Sequence, residues 1–140
     1  MKNLISLVLL FALVLSVGCA TDNQTPEDNA ARMGRIVETL AFTGATLTLE
    51  KKPESRPAFA EASVQLLNLA SSDEFDLLDL REAIEGLPFD EIDSTEAKLV
   101  AGNLQIILDE FGTGSVALTN LVYLKPIAGG VGRGIKRALE

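Results

Sequence analysis

The sequence predicts an all-α protein, a small bundle of four to five helices behind a cleavable signal peptide. Leu and Ala dominate, aromatic residues make up only 5% and Trp is absent, a mixture that suits helix packing better than strands built from β-branched and aromatic residues. From residue 26 onward apolar residues recur at three- and four-residue spacings. Pro and Gly stand between those periodic segments as punctuation, and no internal repeat or low-complexity tract interrupts them. A chain of 140 residues has room for one ordinary core and not for two.

The first element is the leader, residues 1–18. Lys2 and the free amine form a minimal positive region, followed by an uncharged apolar run from Leu4 to Leu15. That run has the length of a signal-peptide core and falls short of the roughly 20 apolar residues a helix needs to cross a bilayer; an uncleaved membrane anchor is the competing reading. The run Leu15, Ser16, Val17, Gly18, Cys19 resembles the lipobox of bacterial lipoproteins, in which small residues precede an obligatory Cys. The resemblance covers about twenty residues. It implies that Cys19 carries the lipid attachment and that a dedicated peptidase cuts before it. It also implies that the membrane is reached through N-terminal acyl chains. Ser16 departs from the Leu common three positions before the Cys, a substitution that permissive forms of the motif accept. In the Gram-negative pattern Asp after the Cys retains a lipoprotein in the inner membrane; Ala20 stands here, which implies an outer-membrane location facing the periplasm.

Residues 19–25 read as the lipidated Cys and a polar tether, and residues 26–140 as the helical domain. The tether spans at most about 20 Å at about 3.3–3.6 Å per residue. Thr25 is the expected N-cap of the first helix, with Pro26 at its first position and Glu27 and Asp28 near the positive end of the helix dipole. Met33, Ile36, Val37, Leu40, Ala41, Gly44 and Leu47 form its apolar stripe, and Lys51 and Lys52 suit its end before Pro53. Alternating Thr and Leu over 43–49 could suggest a strand, but a lone strand would have no partner in this chain.

A second helix follows Pro53 and Pro57 with Phe59, Ala62, Ser63, Leu66, Leu67 and Ala70 on one face. Ser71 and Glu74 fit a capping box for a third helix carrying Phe75, Leu77, Leu78, Leu80, Ala83 and Ile84 and closed by Gly86. The fourth helix opens near Asp93 or Ser94. It places Ala97, Val100, Ala101, Leu104, Ile107, Leu108 and Phe111 in helical register before Gly112, which makes it the expected centre of the bundle. Residues 113–115 form a Gly-containing turn, and 116–124 are apolar without a settled period. A last helical stripe uses Ile127, Ala128, Val131, Ile135, Ala138 and Leu139. Gly129, Gly130, Gly132 and Gly134 each weaken it by about 0.8–1.0 kcal/mol relative to Ala, so it must pack to survive. Gly130 and Gly134 lie one turn apart and permit a close helix contact.

Composition narrows the chemistry. Net charge is −8, and loss of Lys2 with the leader would leave 11 basic against 20 acidic residues, −9, which disfavours nucleic acid as a partner. The chain has no His, the commonest general base and metal ligand. With Cys19 as the single Cys, no intramolecular disulfide can form. Ten acids from Asp73 to Glu96 surround Arg81 alone, without the alternating ligands and turn Gly of a calcium loop; a solvated acidic helix face is the simpler reading. The run 129–134 lacks the Lys and Ser or Thr of a phosphate loop, and its Gly spacing fails the dinucleotide pattern. Lys125, Arg133, Lys136 and Arg137 make the tail locally basic, able to touch anionic headgroups or to offset the chain's own acids.

These features predict a non-enzymatic envelope lipoprotein with a structural or protein-interaction role, with no cofactor or metal and with another envelope protein as the candidate partner. Two alternatives stand beside it: a phage lysis-associated or envelope-disrupting lipoprotein, and an envelope hydrolase or metal-binding protein using carboxylates. The segment KKPESRPAF and its helical surroundings resemble uncharacterised short helical lipoproteins of bacteria and phages, a resemblance that transfers no functional residue.

Overall fold

The computed structural model describes residues 25–73, 77–89, 95–113 and 120–140, all in helices or the short connections at their ends. The helices are α1 (Pro26–Lys51), α2 (Arg56–Ser71), α3 (Leu77–Glu85), α4 (Thr95–Thr113) and α5 (Asn120–Leu139), with a 3₁₀ turn at Pro53–Ser55 between α1 and α2. The all-α bundle expected from the sequence is therefore the observed fold. The leader 1–18 and Cys19 lie outside the described residues, as do Glu74, Phe75, Asp93 and Ser94.

α1 starts where its cap dictates. The Thr25 hydroxyl accepts from the Asp28 backbone N–H at 3.2 Å, and the Asp28 carboxylate accepts in return from the Thr25 backbone N–H at 3.4 Å. This capping box satisfies two donors that the first turn leaves without helical partners. The Thr-rich second half stays helical, because its hydroxyls bond back to carbonyls four residues earlier: Thr39 to Arg35, Thr43 to Thr39, and buried Thr48 to Gly44 at 2.8 Å. A Thr hydroxyl satisfied in this way needs no strand partner. Lys52 closes α1 by donating its backbone N–H to the Thr48 carbonyl.

The relation of α5 to its neighbours organises the bundle. A Cβ placed on Gly130 would fall onto the Gly34 carbonyl oxygen, and one on Gly134 onto the Glu38 carbonyl oxygen. Conversely, a Cβ on Gly34 would lie 2.8 Å from the Pro126 carbonyl oxygen. Contacts thus advance along α1 and α5 together, so the two helices run parallel with backbone against backbone. On the other side, the Cβ positions of Gly129 and Gly132 meet Ala70 and Leu67. That pairing reverses direction, so α2 lies antiparallel to α5. All four glycines of α5 are buried, and Leu124, Ile127, Ala128, Val131 and Ile135 are at most 1% exposed. Burying each large aliphatic contributes roughly 1.5–3 kcal/mol, which outweighs the propensity cost of about 1 kcal/mol per Gly.

α3 and α4 complete the core from one side. Gly44 leaves room for Val100 and Phe89, whose atoms would stand 2.8 and 2.9 Å from a Cβ there. Phe89 also packs on Phe59 with ring centroids 5.6 Å apart, a tilted pair favoured by aromatic quadrupoles. Leu87 and Phe89, which follow α3 and belong to no periodic stripe, are core residues at 5% and 2% exposure.

Four expectations from the sequence are corrected here. Ser71 does not cap α3. It is the last residue of α2, its hydroxyl donates to the Leu67 carbonyl, and the Ser72 N–H closes the helix on Asn68 and Leu69. Gly112 does not stop α4, which runs on to Thr113; one Gly costs a helix too little to end it. The centre of the bundle is the α1–α5 pair and not α4, which touches α1 more sparingly than α5 does. The buried face of α1 uses Ala30, Gly34, Ala45 and Thr48 besides Val37, Leu40, Ala41 and Gly44, while Leu47 is only partly buried. Small residues line that face because α5 approaches it to backbone contact.

Two glycine substitutions separate close packing from propensity. Gly130→Ala forces the helices apart and is expected to lower unfolding stability by about 1–3 kcal/mol, the usual cost of overpacking. Gly102→Ala, where a Cβ meets nothing within 4 Å, is expected to raise it by up to about 1 kcal/mol. Urea unfolding followed by circular dichroism measures both, and equal signs would contradict the assigned helix contact.

Candidate functional site

Cys19, the residue to which the sequence assigns a chemical role, lies outside the described residues. What the described helices build includes a set of charged seams and an open groove.

The largest seam crosses the α1–α5 contact. Glu38 accepts from Arg133 Nε at 3.0 Å and from Arg137 Nη1 at 3.3 Å, so one carboxylate serves two guanidinium groups one helical turn apart. Its side chain is only 19% exposed, whereas the two arginines are about half exposed. The Arg137 guanidinium also sits over the Phe42 ring, 5.0 Å from its centroid, within the range of a cation–π contact. Parallel packing explains the cluster. Gly134 seats against the backbone of Glu38, which places Arg133 and Arg137 on either side of that residue's carboxylate. At the end of α5 the Arg56 guanidinium donates to the Leu139 carbonyl, satisfying an acceptor that the last helical turn leaves open.

The basic tail is therefore compensated in part within the chain, two carboxylates answering three of its four cations. The sequence offered the acidic segment as the internal partner, and the structure divides that role. Lys125 pairs with Asp73 at 2.6 Å, at the edge of the acidic segment, but Arg133 and Arg137 use Glu38, far outside it. No charge pattern in the sequence could have found Glu38, because 95 and 99 residues separate it from its arginines. Arg81, the lone base of the acidic stretch, pairs with Asp109 of α4 at 2.8 Å, so it ties α3 to α4. Lys125 holds the fully exposed Asp73 carboxyl below its ordinary pKa of 3.8, first by hydrogen bonding and then by charge attraction.

The groove runs along the outer face of α2, open to solvent, with a volume of about 850 Å³. Ala60, Val64, Leu69, Asn68 and Ser72 line it with Glu61, and Val64 is 59% exposed. It offers an apolar floor with amide and hydroxyl edges. Among the described residues no three His, Cys, Asp or Glu side chains stand together as a metal would require. Likewise no described helix is long and apolar enough to cross a membrane. Among the described residues the buried Thr46 hydroxyl of α1 finds no hydrogen-bond partner. No protein family, curated protein or solved structure was found to match this chain.

Two expectations concern these charges. Glu38→Gln removes the shared acceptor and is expected to lower stability by about 1 kcal/mol, given that the arginines are half solvated and exposed pairs contribute about 0.2–1 kcal/mol each. The loss should shrink in 1 M salt, where charges are screened within about 3 Å, and parallel denaturation curves at low and high salt check this. The Asp73–Lys125 pair has a lowered carboxylate pKa in the folded state. Its contribution is therefore complete above the unfolded value near 4 and disappears as pH falls through the lowered folded value. An Asp73→Asn variant should be less stable than the parent at pH 6, and the gap should close as acid takes the pH down through the lowered folded value, a difference that acid-to-neutral thermal melts resolve.

Proposed function

We propose that this chain is an exported lipoprotein of the bacterial envelope, anchored through acyl chains on Cys19, with a helical domain that serves a structural or protein-interaction role beside the membrane. The observation that carries this reading is the run Leu15 to Cys19 at the end of an apolar leader. Gly18 suits a peptidase that needs a small side chain next to the cut. Two or three acyl chains, at about 0.8 kcal/mol per buried methylene, make such an attachment effectively permanent, whereas a single chain binds marginally.

The start of the domain supports the reading in one respect. The capping box at Thr25 begins a 26-residue helix only a few residues after Cys19, so little chain separates anchor from fold. A domain held that close to a lipid surface meets other envelope components more often than freely diffusing solutes. The charged groups of α1, α3, α4 and α5 fit the same role. Glu38, Arg81, Asp109 and Lys125 are each engaged in pairs that fasten one helix to another or to its flanking turn, which is structural work.

Mass spectrometry of the protein extracted from membranes tests the anchor. The expected product begins at Cys19 and carries diacylglycerol, with or without an N-acyl chain. A Cys19→Ser variant is expected to retain its leader and to lose that mass. Recovery of unmodified Cys19, or of an intact Met1 terminus as the main species, would overturn the proposal.

A further inference from the structure

We draw no further inference here: the strongest candidate, the apolar groove along the outer face of α2 around Val64, is lined among the described residues by that helix and its C-cap alone, and nothing in the structure shows what covers it.

Discussion

The closeness of α5 to α1 is the constraint from which the rest of the structure follows. Glycines at 34, 130 and 134 let two parallel helices meet backbone to backbone, nearer than any side chain between them would allow. That approach has a conformational cost, since Gly is the poorest ordinary helix former. It is offset by the inward aliphatic residues of α5, Leu124, Ile127, Ala128, Val131 and Ile135, which lose essentially all contact with water once α1 and α2 hold the helix between them. α5 is thus a helix by virtue of its tertiary contacts and not of its composition. Any change that widens the α1–α5 gap weakens the burial on which the helix depends.

The same approach sets the electrostatics. With the helices parallel and in this register, Glu38 comes to lie between Arg133 and Arg137, and Phe42 beneath Arg137. Low exposure of Glu38 makes these contacts less screened than ordinary surface pairs. The positive tail of an acidic protein is thereby offset in part at home, by Glu38 and Asp73 against Arg133, Arg137 and Lys125, and the outer faces of the bundle also carry uncharged surfaces. Two such surfaces stand out: the apolar groove on α2 and the Leu99–Gly102–Ile106 stripe on α4.

Much of the architecture was legible in the chain. Five helical segments, the Thr25 cap, the stripe of α2 and the close-packing role of Gly130 and Gly134 follow from spacing and turn chemistry alone. The errors have specific physical sources. A Ser followed by an acid three residues later looks like a cap, but Ser71 is equally satisfied by bonding back to Leu67. Regular spacing made α4 look central, yet periodicity reports only that a helix has an inner face, not how much of its surface is covered. Leu87 and Phe89 escaped notice because they reach the core from a connection that has no period.

The sequence by itself determined the helical class, both ends of α1 and the end of α3, the acidic balance, the lack of His and of a second Cys, and the lipobox-like run ending at Cys19. These are local or compositional properties, and each is decided by a few neighbouring residues. Only the tertiary structure decided that α1 and α5 run parallel, that Glu38 answers two arginines nearly a hundred residues away, and that Leu87 and Phe89 reach the core from a connection. Those facts depend on which surfaces meet once the chain has closed on itself. Helical periodicity marks an apolar face without naming the face it will bury against.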